Sequence, residues 1–506
     1  MTLRNLVVIL LTCCVSLLCF EKSQWNKHAV TISEALTLIE RNYFEEVNER
    51  TLFQGAMRGL VSGLDPNSGY LDPSRFEQFQ SGLTQEFGGI GILVDFQSES
   101  RRPTVISPLL DSPAQRAGVR AGDVIWAIDG QDTLDLPVQR SIALIQGPIG
   151  EAVTLLVVHR DTTEPVELKV VRASIQTDSV LGDARRADTS WDYFLQEDPR
   201  IMLLRVVTFG ERTVSELKAA LDSRHPTTGA ARAVVIDLRD NAGGLLNTAI
   251  DAADLFIDQG VIVSTRGRGG MELRRYEAEP DLAVAKNIPM VILVNEYSAS
   301  ASEILAACLQ DHDRAVVIGT RSFGKGTVQN LIPLEGGRSA LKLTTSSYWR
   351  PSGKNIHRSQ GASDQDDWGV RPNVDFEVPI SDYHRRLVER FRRVRDLQIP
   401  AEPFTKIAPG VDAFPEPAAS ASADRPEGEW VASAGVGSTG VASAGVEKIE
   451  ADGKRAGAKE SVGPEADGEL FVGEPAETQR QGLERVMPID DPQLRRAIGY
   501  LQQQLK

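Results

Sequence analysis

Between Val30 and Leu64 apolar residues return about every 3.6 positions: Ile32, Ala35, Leu36, Leu38 and Ile39, then, after a break, Leu52, Ala56, Leu60 and Val61. The spacing predicts two amphipathic helices. The stretch LDPNSGY ends them, because Asp65-Pro66 and the Ser68-Gly69 pair favour a turn. From Phe87 to about Ala173 the texture changes to short strands and turns. GGIGILVDF reads as a glycine loop feeding an apolar strand, and TVISPLL as a second strand. Ser112-Pro113 opens a short helix that Gly118 ends, and RAGDVIWAIDG reads as turn, strand and Asp-Gly turn. A helix over Val138 to Ile145 follows, and EAVTLLVVHR with VELKVVRA forms a closing strand pair.

Near Ile201 apolar strands begin to alternate with helical stretches: MLLRVVTF, TVSELKAALD, AVVIDLR, LNTAIDAADLF, VIVSTRG, PMVILVN, SEILAACLQD and AVVIGT. Strands separated by helices of this length predict an α/β domain with a helix-covered sheet, running to about Asp396. From Ile399 to about Arg485 the chain is Ala, Gly, Glu, Pro and Ser, with VASAGV appearing twice. So few bulky apolar residues cannot offset the entropy of ordering, so this segment is expected to be disordered. DPQLRRAIGYLQQQLK then predicts a last helix, started by Asp491-Pro492, with Leu494, Ile498 and Leu501 on one face. Its docking partner is not legible.

At 506 residues the chain calls for more than one domain, and a net charge of −15 argues against binding a phosphate backbone. No nucleic-acid partner is expected. The N-terminus carries Arg4 and then an apolar run from Leu6 to Phe20, shorter than a comfortable membrane span. Residues 1–22 therefore read as a secretory signal or a short membrane anchor, and the protein as exported, periplasmic or otherwise extracytoplasmic. Cys13, Cys14 and Cys19 lie in that run, which leaves Cys308 alone elsewhere, set in an apolar helix pattern as a core thiol. The six histidines show no ligand spacing, so neither metal nor cofactor is expected.

Four stretches carry candidate chemistry. In VILVNEYSASASEILAACLQD a strand ends at Asn295 and a helix begins near Ser302. A serine on such a turn has an exposed hydroxyl, and the helix start offers N–H donors for an oxyanion. Taken alone, Ser300 capping the helix in a box with Glu303 explains the turn as well. In FGKGTVQNLIPL, Gly324 and Gly326 leave little bulk around Lys325, and Gln329 follows four positions on, the same face of a strand or a helix. A lysine is a general base when desolvation or nearby charge brings its pKa towards neutrality. VVIDLRDNAGGLL places a glycine turn, Gly243-Gly244, after a buried strand. Gly88 to Ile92, GGIGI, is a loop whose N–H groups suit a chain-terminal carboxylate. Each alone is weak.

Together and in this order, SASASEI, GKGTVQ, DLRDNAGG and GIGI followed by SPAQRAGVRAGDVIWAIDG resemble the C-terminal processing peptidases, or tail-specific proteases. YFEEV, LDPNSGYL and YWRPSGKNI add to the likeness, which covers about Ala29 to Val378. The resemblance implies a PDZ domain (87–174) inserted into a crotonase-like α/β serine protease core (175–396). A helical segment (23–86) precedes the PDZ domain; a disordered linker (397–486) and a C-terminal helix (487–506) follow the core. It implies Ser300 as nucleophile, Lys325 as base, Gln329 as third member, and Ala301 with Gly243 or Gly244 as oxyanion donors. Gly89, Ile90, Gly91 and Ile92 would bind the substrate C-terminus. The partners implied are proteins or peptides with free C-terminal tails; the oligomeric state is left open. The chain departs from the pattern at Asn67, Asp240 and Ala242, where His, Asn and Pro are frequent. The alternatives are a catalytically inactive PDZ scaffold and an acyl-thioester enzyme built on the same core.

Overall fold

The computed structural model describes residues 5, 9–16, 27–95, 101–109, 111–134, 136–186, 190–397 and 491–506. The proposed linker beyond residue 397 and both ends of the N-terminal apolar run (6–8 and 17–20) lie outside them. Within that run residues 9–16 are helical, with Cys13 and Cys14 exposed. Among the described residues no helix is long and apolar enough to cross a membrane.

The chain divides into two units, residues 1–76 with 329–344, and 77–328 with 345–506. In the first, the expected helices are Lys27–Asn42 and Glu49–Val61, the second capped by the Asn48 side chain on Thr51 N–H. The LDPNSGY turn is organised by Asp65, whose carboxylate accepts from Asn67 N–H, Ser68 N–H, the Ser68 hydroxyl and the Thr344 hydroxyl. Strand Gly69–Leu71 then pairs antiparallel with residues 340–342.

In the second unit, strands Ile201–Val206, Ala233–Asp237, Met290–Val294 and Val316–Gly319 run parallel in that order, with Val180–Leu181 antiparallel at the edge. Side chains alternate across a strand, so each strand feeds two cores. Met202, Leu204, Val234, Ile236, Ile292 and Val294 pack with helices Thr213–Asp222, Leu246–Asp254 and Ala301–Asp311. Ile201, Leu203, Ala233, Val235, Val291 and Leu293 pack with Leu494, Ala497, Ile498 and Leu501 of the last helix, Pro492–Gln504. Covering on both faces explains why these strands read as unbroken apolar runs. Cys308 is buried in the first of these cores, and burial pushes its thiol up.

The last helix is also held by charge. Arg239, just past strand Ala233–Asp237, donates to the Asp237 carboxylate at 2.6 and 2.9 Å and to the Asp491 carboxylate at 2.9 and 3.0 Å. Burial would raise the Asp491 carboxyl, but Arg239 outweighs it and holds it at about 2. Its contribution is therefore present above the ordinary carboxylate range and lost as pH falls towards 2. Asp491→Ala leaves Arg239 buried with one carboxylate instead of two. It is expected to cost about 3 kcal/mol at neutral pH, read as a shift in the urea midpoint.

Residues 86–176 form the small β domain expected there. Its sheet orders Ile92–Asp95, Thr104–Pro108, Val124–Ile128, Ala152–Val158 and Pro165–Val171, all antiparallel, around Ile90, Ile125, Val153, Leu155 and Val157. The helices Pro113–Arg116 and Val138–Ile145 fall where the sequence puts them.

Candidate active site

Strand Met290–Val294 delivers the chain to a tight loop, and helix Ala301–Asp311 leaves it. Ser300 sits between them at φ 57°, ψ −113°, a backbone state that disfavours a side chain and marks a position the surroundings over-determine. Those surroundings are specific. Asn295 Oδ1 accepts from Asp240 N–H and Asn295 Nδ2 donates to Asp240 Oδ1, both at 2.9 Å. Ala299 N–H and the Ser302 hydroxyl donate to the Asn241 carbonyl oxygen at 3.0 and 2.9 Å. The serine loop and the DLRDNAGG turn are thus one hydrogen-bonded body. Asp240 lies at φ 60°, a conformation that Asp and Asn tolerate better than most residues, so this departure from the family pattern is conservative.

Gly243 and Gly244 lie against the serine. A Cβ on Gly243, which has φ 105°, would stand 2.8 Å from the Ala299 oxygen, 2.9 Å from Ser300 Cβ and 3.0 Å from Ala301 N. Gly243→Ala is therefore expected to displace Ser300 and lower kcat/KM at least about 10²-fold, checked by steady-state kinetics on folded protein. The Gly243 N–H already donates to Asn241 Oδ1 at 2.8 Å. Among the described hydrogen bonds none uses the N–H of Gly244 or of Ala301.

Lys325 lies in the irregular stretch before strand Thr327–Leu334, not on that strand. The same-face argument for Lys325 and Gln329 needs both on one element, so it does not apply. Gln329 is on the strand, where its Nε2 donates to the Thr344 hydroxyl at 3.4 Å. Thr344 in turn is bound to Asp65 and Ser68, which gives the LDPNSGY turn a physical role in fixing this strand.

The residue that joins serine and lysine is Glu303. Its Oε2 accepts from Ser300 N–H and from Lys325 N–H, each at 2.8 Å, so both backbones rest on one oxygen. Its Oε1 accepts from Gly324 N–H and from the Ser322 hydroxyl, each at 2.6 Å. The carboxyl is fully buried; desolvation pushes it up to about 7 against the pull of these four donors. The sequence marks Glu303 only as a capping-box partner; the one acid in an otherwise apolar helix start was the available signal. Tyr348 is the first residue of YWRPSGKNI, and nothing in that motif gives it a role. It is buried, its N–H donates to the Gly326 carbonyl at 2.7 Å, and burial pushes its phenol, which lies near the Ser300 side chain, up to about 12.

Three family descriptions match in the expected order: the N-terminal domain of activating protease CtpB at residues 20–74, a PDZ domain at 104–159 and peptidase family S41 at 200–376. A carboxy-terminal-processing protease of Bartonella bacilliformis is 37% identical over 363 residues, covering 71% of this chain and 77% of its own. The chain belongs to the carboxy-terminal-processing proteases of family S41. The carboxy-terminal processing protease CtpA of Bacillus subtilis is 31% identical over 350 residues, 69% of each chain. Among solved structures, a photosystem II D1 C-terminal processing protease is 24% identical, covering 72% of this chain and 97% of its own, with a TM-score of 0.39. This S41 chain is therefore a serine-type peptidase with a PDZ domain, and the inactive-scaffold alternative is not favoured.

The S41 protease's PDZ loop is laid out differently from its serine site. Gly89 pairs with Ala173 in a two-stranded ladder, Ile90 is buried in the domain core, and Ile92 opens the next strand. Gly91 has φ 73°, and a Cβ there would stand 2.5 Å from Ser112 Cβ. Gly89, Ile90 and Gly91 are all buried, so the Ile90 side chain belongs to the domain core.

Proposed function

We propose that this peptidase cleaves exported proteins near their C-termini with Ser300 as nucleophile and Lys325 as general base. The observation that carries the reading is the single Glu303 oxygen that accepts from the backbones of both residues. Lys325, as the neutral amine, takes the Ser300 hydroxyl proton while Oγ attacks the peptide carbonyl. The oxyanion is received by the N–H groups of Ala301 and Gly244; Gly243, whose N–H is spent on Asn241, shapes the turn instead. The lysine ammonium protonates the departing amine, and the acyl-enzyme is then hydrolysed by water with the same lysine as base. Gln329 orients the amine, and the chemistry calls for no cofactor.

The loop Gly89–Ile92 binds the substrate's terminal carboxylate while the tail adds as a strand, which supplies the tail address. Residues 1–22 direct export and either leave as a signal or stay as an anchor. The domain limits follow the same reading, with a PDZ domain over 87–174 and the peptidase core over 175–396.

The test is an unfolded reporter with an apolar C-terminus, offered as free acid and as amide. The free acid is expected to be cut at least about tenfold more efficiently, the size of effect a charge-assisted carboxylate contact gives. Equal cutting of both would remove the tail-recognition role of the loop.

A further inference from the structure

Next to Lys325 lies a cation that neither the fold nor the chemistry above uses. Arg358 N–H donates to the Gly324 carbonyl oxygen at 2.8 Å, and a Cβ on Gly326 would stand 2.2 Å from His357 N. The segment ending at Arg358 therefore runs against the glycines on both sides of the lysine, a close approach that only glycine permits. Arg358 is exposed, yet its guanidinium is held over the Trp368 ring at 4.6 Å. Trp368 is itself fixed: it is buried, and its indole N–H donates to the Ser363 carbonyl at 2.9 Å.

A second arginine on the same ring shows what a structural role looks like. Arg321 lies 3.3 Å from the ring centre and donates to the carbonyl oxygens of Asp364, Asp366 and Trp368. Arg358 differs. Among the described residues its guanidinium donates no hydrogen bond and faces no carboxylate, although the acidic stretch Asp364 to Asp367 is close in sequence to Trp368. Stacking has already removed much of its rotamer freedom, and its planar fork of donors remains open. That combination suits bidentate capture of a carboxylate at low entropic cost.

We propose that Arg358 is a specificity-determining residue that binds a substrate carboxylate close to the scissile peptide. This rests on the Ser300–Lys325 reading, since it is the lysine loop that sets where Arg358 stands. The carboxylate comes either from an Asp or Glu side chain near the cut or from the terminus of a tail cut close to its end.

The test uses matched unstructured peptides with one apolar C-terminal sequence. One series exchanges Asp for Asn and Glu for Gln at each position around the cut; a second pairs free acid with amide in tails shortened to end near it. Wild type is expected to prefer the acid about tenfold in kcat/KM in one series only, which identifies the source. In Arg358→Ala and Arg358→Gln that acid-to-neutral ratio is expected to fall to about one, with Arg358→Lys intermediate. An undiminished ratio in Arg358→Ala, or no acid preference anywhere in wild type, would overturn the proposal. If wild type cuts no peptide at all, it is the peptidase reading that has failed. The same acid and neutral pairs, titrated against Ser300→Ala protein with and without Arg358→Ala, then decide on Arg358 by affinity alone.

Discussion

Lys325→Ala is expected to lower kcat/KM on an unfolded reporter by about 10⁴-fold while leaving the unfolding midpoint close to that of wild type. The size follows from the behaviour of nucleophile–base pairs, in which loss of either member costs nearly as much as loss of both. The small stability effect follows from the contacts. Backbone bonds hold the lysine loop: Lys325 N–H and Gly324 N–H on Glu303, and Tyr348 N–H on the Gly326 carbonyl. Alanine keeps all of these. The double variant Ser300→Ala, Lys325→Ala should be no worse than either single one. Additive losses would mean that the two residues do not act as a unit.

Glu303→Gln should cost about 10²-fold in kcat with KM little changed, because Glu303 positions reacting groups without touching substrate. All four of its partners donate: three are backbone N–H groups, and the Ser322 hydroxyl already accepts from Val370 N–H, so its own proton points at the carboxylate. An amide presents its NH₂ to donors and must turn at least one away, loosening the serine or lysine backbone. Protonation does the same to wild type, so activity is expected to fall as pH drops through about 7. Stability runs the other way. A carboxyl at about 7 in the native state and near its ordinary value when unfolded favours folding most below that ordinary value. That contribution is lost as pH rises through about 7. The difference is worth about 3 kcal/mol at an upper bound. Denaturant midpoints between pH 5 and 8 should therefore decline more steeply for wild type than for Glu303→Gln. Parallel lines would show that Glu303 does not titrate there.

Much of this molecule can be read from local sequence. The strand Met290–Val294, the serine turn and the helix after it were legible because an apolar run, a cluster of small residues and a helical period follow one another without interruption. Helix Val138–Ile145 and the surrounding strands were legible for the same reason. What failed were features held by charge or by distant partners. Helix Asp382–Leu397 spaces Leu387, Val388, Phe391 and Val394 as a helix does, but the arginines crowded among them hide that period; Arg392 and Arg395 both bind Asp183, and Asp396 binds Arg205. Strand Glu272–Glu277 is an exposed sheet edge, so its alternation carries no burial signal. The long strand Ser339–Trp349, which brings Tyr348 to the serine, looked like a motif without an element. The docking of the last helix depends on Arg239 and Asp491, far apart in the chain and adjacent only in the fold. Within the site, the side chains proposed to react, Ser300 and Lys325, are visible in their motifs, whereas the Glu303 carboxylate that holds their backbones is visible only as a cap.

The most direct test of the Ser300 assignment is mass spectrometry of protein quenched in acid during turnover of an activated peptide ester, followed by peptide mapping. The acyl group of the substrate is expected on Ser300 in wild type. Ser300→Ala protein should carry no adduct and leave both ester and reporter uncut. An adduct on another residue, or undiminished cleavage by folded Ser300→Ala, would contradict the account.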